Sequence, residues 1–208
     1  ARLDDITNNN KLKAAIAEYD NVSTKDIDNE RLKDGQESLE KALVIRARQI
    51  VEEGKGDKPT FDALVNLYKN QPNLDVRSST SMENQAYSTP APLAFAVSRL
   101  AGIDQSTTVY EPTAGNGMLL IGANKDNATL NELNDLRADQ LQEQGFKVTR
   151  NDAVEYVPSK KVDSVIMNPP FAKIDRTTYD GYVLKALDHV IVAKALEAMK
   201  DDGKASII

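Results

Sequence analysis

The apolar residues in the first part of the chain recur with the spacing of α-helices. Leu12, Ile16 and Tyr19 fall on one face of a first predicted helix. A second stripe consists of Leu39, Leu43, Ala47 and Ile50, and Gly54 follows it as the expected helix end. We therefore predict a helical N-terminal region over residues 1–80, whose stripes pack against one another and against one flank of the domain that follows.

Two further helix signals stand on either side of a polar stretch. Thr60 is expected to cap a third helix, which Pro72 would stop and whose apolar face would comprise Phe61, Leu64, Val65 and Tyr68. Residues 73–86 have no period and are predicted to form a loop or linker. After it Thr89 would cap and Pro90 would open a helix that Gly102 ends, with an apolar face of Leu93, Ala94, Val97 and Leu100.

From residue 107 onwards, short apolar runs alternate with helical patterns. Strands are predicted near residues 107–111, 127–132, 146–150, 162–167 and 204–208, and helices from residue 117, near 135–144 and near 183–200. Strands separated by helices indicate an α/β domain with a doubly wound, mostly parallel sheet, which we assign to residues 81–208. Such sheets bind ligands at the carboxyl ends of their strands.

Composition and charge narrow the chemistry. The 208 residues include no cysteine and one histidine, His189, which the surrounding helical pattern indicates to be structural or at the surface. Disulfides, thiolate metal sites and a cysteine nucleophile are excluded, so cytosine carbon-5 methylation is excluded too, and no metal is expected. A net charge of −6 requires any nucleic-acid contact to be local. No segment approaches the roughly 20 apolar residues of a membrane span, so the default location is cytoplasmic.

Polar residues follow four of the predicted strands. Glu111, Glu132, Asp152 and Asn168 each stand at or just after a strand end. Between the first two lies a Gly-x-Gly turn, Gly115 to Gly117, which lacks the Lys-Ser/Thr of a P-loop and the third glycine of a dinucleotide fingerprint. The absence of that glycine argues against a nicotinamide dehydrogenase. Glu132 is spaced to accept hydrogen bonds from a ribose diol, whereas a turn or capping role is the alternative for it and for Asp152.

Three motifs together resemble those of S-adenosylmethionine-dependent N6-adenine DNA methyltransferases, in the order typical of type I and gamma-type enzymes. They are Tyr87-Ser88-Thr89-Pro90, Glu111-Pro112-Thr113-Ala114-Gly115-Asn116-Gly117 and Asn168-Pro169-Pro170-Phe171. The resemblance covers residues 84–208 and implies a Rossmann-like class I methyltransferase fold with S-adenosylmethionine as cofactor and adenine in DNA as target. The biological setting stays open among restriction-modification, phage defence evasion and replication marking. For the N-terminal region, the alternatives are to clamp DNA, to contact a partner subunit or to cover the edge of the sheet.

The resemblance also implies a role for each motif residue. Tyr87 and Thr89 would contact the cofactor's methionine part, and its amino and carboxylate groups would be held by Glu111, Pro112, Ala114, Gly115 and Gly117. Glu132 would bind the ribose and Asp152 the adenine amine of the cofactor. Asn168, at the border of both sites, would begin the catalytic turn Asn168, Pro169, Pro170 and Phe171, which holds the target base.

The chemistry of adenine methylation explains the catalytic turn. The lone pair of the exocyclic amine is delocalised into the ring, so the amine is a poor nucleophile. The Asn168 side-chain oxygen and the Pro169 carbonyl can accept its two N–H groups and favour attack. Phe171 offers a face on which an extruded base can stack. Ordinary core packing of Phe171 and a simple loop stop at Pro169-Pro170 are the alternatives.

Two departures and three rival functions stay open. Tyr87-Ser88 stands where the resemblance leads us to expect two aromatics, and Ala205 to Ile208 resembles a fifth strand, so we expect the remaining strands beyond Ile208. The same Asn-Pro-Pro-aromatic turn would serve methylation of a protein glutamine or of a ribosomal RNA base. A non-catalytic methyltransferase-like module that binds DNA or a partner is the alternative from another class.

Overall fold

The computed structural model describes residues 3–71 and 88–208. The predicted loop 73–86, the helix stop at Pro72 and the proposed cofactor residue Tyr87 lie outside these described residues. Within them no helix is long and apolar enough to cross a membrane.

The N-terminal region is helical, as predicted. It contains α1 (Asn9–Asp20), α2 (Asn29–Glu52) and α3 (Asp57–Asn70). The predicted stripe of α2 is buried throughout, and Gly54 follows the helix with a φ of 65°. In α1 the expected role of Tyr19 is wrong, because its side chain is 84% exposed and the small Ala17 packs beside Leu12 and Ile16 instead.

The third helix begins earlier than predicted. Gly56 occupies the N-cap position, whereas Thr60 lies inside the helix and is buried. Pro59 is compatible with this start because a helix's first turn leaves its N–H groups unpaired. Leu64 is fully buried, but Phe61 and Tyr68 are exposed, so only part of the predicted stripe faces the core.

Helix α4 (Ala91–Leu100) lies where predicted, with a different cap and face. Thr89 makes no capping hydrogen bond, since Pro90 is the N-cap residue and the Thr89 hydroxyl bonds elsewhere. The buried face consists of Ala91, Ala94, Phe95 and Ser98. Leu93 and Leu100 are exposed, at 42% and 75%, while Gly102 follows the helix end at a φ of 69°.

A five-stranded parallel sheet forms the centre of the domain. Its strands are β1 (Val109–Glu111), β2 (Ala128–Asn131), β3 (Lys147–Thr149), β4 (Val162–Met167) and β7 (Met199–Ile207). The order across the sheet is β3-β2-β1-β4-β7. From β1 the chain adds β2 and β3 towards one edge of the sheet, and β4 and β7 then follow on the other side of β1. Ligands of such sheets bind at the switch point between β1 and β4. Helix α5 (Asp135–Glu143) connects β2 to β3, as predicted.

The prediction of a helix from residue 117 is wrong. Gly117 has a φ of 88°, and the segment Met118–Leu120 forms only a single 3₁₀ turn. Leu119, Leu120, Ile121 and Ala123 are all buried, so the short connection is held by tertiary packing. A second 3₁₀ turn, Lys125–Asn127, leads into β2.

The prediction of a helix over residues 183–200 is also wrong at both ends. An antiparallel hairpin, β5 (Lys173–Tyr179) and β6 (Tyr182–Ala186), precedes the shorter helix α6 (Leu187–Leu196). The last strand then begins at Met199, five residues before the predicted start at residue 204. His189 lies in α6 and is exposed, as expected.

Two layers of apolar residues cover the sheet. On one face α4 and the turn after β1 pack against Val109, Leu130 and Ile166. On the other face α6 packs against Tyr110, Val165 and Met167. A further cluster joins α2 and α3 to α4 and to Ile121, so the N-terminal helices are continuous with the domain core.

Candidate active site

Two of the predicted site residues lie at the switch point of the sheet. Glu111 is the last residue of β1, and Asn168 follows the last residue of β4. The two strands are neighbours, with Tyr110 paired to Val165, so their carboxyl ends emerge side by side. The structure thus brings together the residues that the sequence assigns to cofactor binding and to the target base.

Glu111 is buried without a hydrogen-bond partner for one of its oxygens. The residue is 2% exposed, and no group in the described part of the chain donates to Oε2. Burial, with a smaller contribution from the charge of Glu132, raises the pKa of the Glu111 carboxyl well above its ordinary value. An unpaired buried carboxylate is costly, and a cationic donor would relieve that cost. Glu111 is therefore poised for an ammonium group.

Glu132 lies just after β2, beside the glycine turn. Its Oε2 accepts from the N–H of Gly115 at 2.7 Å and its Oε1 accepts from the N–H of Asn134 at 2.9 Å. Burial raises the pKa of Glu132, and these two N–H groups and Arg137 offset only part of that effect. A carboxylate oxygen accepts more than one hydrogen bond, so the side chain can still bind a diol.

Asn131, the last residue of β2, is a site residue that sequence reasoning missed. Its Nδ2 donates to the carbonyls of Pro112 and Asn151, at 3.1 and 2.8 Å. Its Oδ1 accepts from the Asn151 N–H and the Thr149 hydroxyl, at 3.0 and 2.9 Å. One buried amide therefore joins three consecutive strand ends. An asparagine at the end of a predicted strand was the available signal.

The two glycines of the turn have different roles. Gly115 has a φ of 56°, and an added Cβ there would meet no atom of the described residues within 4 Å, so among them open space borders it. Gly117, at a φ of 88°, faces Leu141, whose Cδ2 would lie 3.0 Å from an added Cβ. Gly115 can therefore let a ligand approach the backbone, whereas Gly117 allows close packing. Pro112 and Ala114 are buried, and the Ala114 N–H donates to the Asn131 carbonyl at 3.0 Å.

Asp152 lies in the turn after β3 and is exposed. Its Oδ1 accepts from the Val154 N–H at 3.0 Å, which shapes the turn. The second carboxylate oxygen is available to a donor at the rim of the site. The position of Asp152 is therefore compatible with both roles predicted from the sequence, that of a turn residue and that of a ligand-binding residue.

The catalytic turn is linked to the segment before α4. The Asn168 Nδ2 donates to the Thr89 hydroxyl at 3.1 Å, which fixes the amide so that its oxygen points away from Thr89. Pro169 is buried and Pro170 is half-buried. Phe171 is 43% exposed, which excludes the alternative of full core packing and leaves a ring face available.

Helix α2 contacts the glycine turn through a buried polar network. Asn116 Nδ2 donates to Glu37 and Glu40, at 3.0 Å each, and Arg137 forms two hydrogen bonds with Glu37, at 2.8 and 3.0 Å. Burial would raise the pKa of Glu37, but Arg137 outweighs it and lowers that pKa. Burial, and next the charge of Glu37, raise the pKa of Glu40, which also bonds to Ser88.

Arg48 gives α2 a second hold on the same connection. Its guanidinium donates to the carbonyls of Ala123 and Leu120, at 2.7 and 2.5 Å, and lies over the Phe146 ring at 5.1 Å. Arg48 is 7% exposed, and burial lowers its pKa. Nothing in the sequence indicated this buried role.

Residues 112–208 match the family described as Methyltransferase small domain. The match begins at the glycine turn and includes every strand after β1. The family match supports a class I methyltransferase domain over these residues. Its fold is the Rossmann-like α/β fold predicted from the sequence, and its cofactor is S-adenosylmethionine, also as predicted.

Several solved structures are similar to this chain, whereas no curated protein matches it. A proposed RNA methyltransferase of Pyrococcus horikoshii is 30% identical, with 57% of this chain and 61% of that chain covered and a TM-score of 0.44. TrmN of Thermus thermophilus is 18% identical, with 72% and 55% covered and a TM-score of 0.42. An SAM-dependent methyltransferase of Thiobacillus denitrificans, in complex with S-adenosylhomocysteine, is 14% identical, with 64% and 55% covered and a TM-score of 0.43. The chain thus spans 55–61% of the length of these structures.

The residues of the methyltransferase domain fit this cofactor. Glu111 presents an unpaired buried oxygen to an ammonium group, and the open space at Gly115 lets a carboxylate reach backbone N–H groups. Glu132 lies one strand further along, where a ribose diol can reach it. The order Asn168, Glu111, Glu132 and Asp152 along the strand ends matches the order of groups in a molecule with a reactive methionine part, a ribose and an adenine.

Proposed function

We propose that the domain transfers a methyl group from S-adenosylmethionine to the exocyclic N6 amine of adenine in DNA. The observation that carries this proposal is the Asn168 amide, oriented by Thr89 beside Glu111 at the switch point and followed by an exposed aromatic, Phe171. The bound cofactor supplies an electrophilic methyl group. The chain's own residues must then orient an amine towards it.

The orientation of Asn168 determines which hydrogen bonds it can form with the substrate. Because its N–H₂ group donates to Thr89, its oxygen is the atom available for an acceptor role. The Pro169 carbonyl can provide a second acceptor, and proline brings no competing N–H donor. Two acceptors fit a planar amine that loses its conjugation as it attacks. No nucleophilic residue is required.

The exposed ring of Phe171 supports a nucleobase as the substrate. A base must leave its stack before the amine can reach a buried cofactor, and an aromatic face compensates for the lost stacking. A glutamine side chain or an RNA base would satisfy the two acceptors equally well. The choice of DNA adenine rests on the Tyr87-Ser88-Thr89-Pro90 and Asn168-Pro169-Pro170-Phe171 motifs taken together.

The test measures transfer of a labelled methyl group to four substrates: single-stranded DNA, duplex DNA, RNA and a glutamine-containing peptide. We expect label in adenine of DNA. Asn168→Ala should abolish transfer while S-adenosylhomocysteine still binds, because its oxygen acts on the target amine. Asn10→Ala, an exposed asparagine of α1, is the control and should retain activity. Label found only in RNA or in the peptide would contradict the choice of substrate, and full activity of Asn168→Ala would contradict the mechanism.

A further inference from the structure

The β5–β6 hairpin directly follows the catalytic turn. Its base is closed by the Leu187 N–H, which donates to the Ala172 carbonyl at 2.8 Å, one residue after Phe171. Tyr179 and Tyr182 pair across a two-residue turn in which Asp180 and Gly181 have φ values of 48° and 82°. Positive φ at both positions is the geometry of a tight hairpin turn, so the arm is well defined.

One side of this hairpin packs on the domain and the other faces solvent. Tyr179 is half-buried, and Lys194 of α6 lies 5.8 Å from its ring centre. Side chains alternate along a strand, so the opposite side carries Thr178 and its partner Val183, with Lys185 two residues further along β6. Arg176 lies two residues before Thr178, next to the segment of β5 in which the register shifts. We call these four residues the outer face, and all four are exposed.

The cations of the outer face have no ionic partner. In the part of the chain that the structure describes, neither Arg176 nor Lys185 forms an ion pair. Around the cofactor end of the sheet, by contrast, Arg137 is paired with Glu37 and Arg150 with Asp135 and Asp139. Of the hairpin's two carboxylates, Asp180 forms the turn, and Asp175 lies in the segment of β5 whose register with β6 shifts. Two free cations on a protein with a net charge of −6 form a local site for anions.

We propose that the outer face of the β5–β6 hairpin binds the sugar-phosphate backbone of the nucleic-acid strand next to the target base. This inference rests on the proposed function and names how that substrate is held. A five-residue strand is about 17 Å long, and strand phosphates recur about every 3.4 Å along a duplex, so the arm spans about five nucleotide steps. Backbone contacts position a strand without reading its sequence, which suits a surface of two cations and a hydroxyl.

The test compares Arg176→Ala/Lys185→Ala with Lys25→Ala/Lys69→Ala, which removes two exposed cations far along the chain from the hairpin. Affinity for a fluorescent single-stranded oligodeoxynucleotide containing adenine is measured by anisotropy over a salt series, with S-adenosylhomocysteine present. Removing two phosphate contacts should lower the salt slope by about 1.4, so the loss of affinity relative to the control should be about sevenfold larger at about 50 mM than at about 200 mM salt. S-Adenosylhomocysteine affinity and melting temperature should match those of the control.

The possible outcomes separate the hairpin proposal from the proposed function. Equal oligonucleotide affinity and equal salt slope in the two double variants would overturn the hairpin proposal. Failure of the wild-type protein to bind any oligonucleotide, with methylation of a peptide instead, would overturn both proposals. Oligonucleotide binding that depends on Arg176 and Lys185, without methylation of its adenine, would overturn the proposed function and leave the hairpin as a nucleic-acid site.

Discussion

Glu111→Gln is expected to stabilise the cofactor-free protein and to weaken its binding of S-adenosylhomocysteine. Glu111 is 2% exposed, its Oε2 has no partner among the described residues, and Glu132 lies close enough to raise its pKa further. The substitution removes the buried charge and retains the size of the side chain.

The size of the effect follows from the unpaired oxygen. A buried polar group without a partner costs about 1–3 kcal/mol. A gain of about 2 kcal/mol raises the melting temperature of a domain of this size by about 4–8 °C. The pKa of Glu111 is raised in the folded protein, so its favourable contribution is complete below the unfolded pKa and is lost as pH rises through the folded one. The variant's advantage should therefore be larger at pH 8 than at pH 5.

The assay combines thermal unfolding at both pH values with calorimetric titration of S-adenosylhomocysteine. Glu155→Gln, an exposed carboxylate after β3, is the matched control and should change neither quantity. We expect Glu111→Gln to lose at least about tenfold in affinity, since a charge-assisted hydrogen bond to an ammonium group is worth about 1.5–3 kcal/mol. A variant that melts at the wild-type temperature and binds with wild-type affinity would refute the assignment of Glu111.

Further predictions concern the glycine turn, the buried ion pair and the catalytic amide. Gly117→Ala should lower the free energy of unfolding by more than the approximately 1–2 kcal/mol of left-handed strain, because Leu141 lies 3.0 Å from the new Cβ. Gly181→Ala, with open space around its Cβ, should show the strain alone. Equal melting temperatures of the two variants would contradict this difference. Gly115→Ala should lose S-adenosylhomocysteine affinity out of proportion to its change in melting temperature, which calorimetry beside unfolding would test. Glu37→Gln should lower the free energy of unfolding, measured with denaturant, by about 3 kcal/mol. The reason is that Arg137, which is 17% exposed, loses the carboxylate that pairs with it. A change below about 1 kcal/mol would count against a structural role for this ion pair. Thr89→Val should lower kcat more than it raises KM for DNA, because Asn168 loses the acceptor that orients it; a change in KM alone would argue against this role.

The centre of the sheet was predictable because β1, β2 and β4 are largely buried. The end of β4, Val165 to Met167, is an apolar run, and such runs locate the central strands of a parallel sheet. The strand-end residues Glu111 and Asn168 followed from the same runs. The hairpin was missed because its strands are half-exposed and carry polar residues, although Asp180-Gly181 between β-branched and aromatic residues was a hairpin signal.

Other errors come from interactions that the local sequence does not contain. The turn after Gly117 has the composition of a helix, but a positive φ and the packing of Leu119 and Leu120 select a 3₁₀ turn. The Thr89 hydroxyl bonds to Asn168, 79 residues away, instead of capping α4. The network of Glu37, Asn116 and Arg137 joins three distant segments, so periodicity in any one of them could not reveal it.

The hydrogen bonds between α2 and the glycine turn couple the stability of the N-terminal region to cofactor binding. Glu37, Glu40 and Arg48 all bond to residues between Ser88 and Arg137, so an ordered turn and an ordered α2 stabilise each other. Cofactor binding should then slow amide hydrogen exchange along α2. Linkage is reciprocal. If a macromolecule that bends or displaces α2 changes the affinity for the cofactor by some factor, the cofactor changes the affinity for that macromolecule by the same factor. The stability of a long helix packed outside the sheet would in this way depend on whether the cofactor site is occupied, and the surface of that helix would respond to cofactor binding.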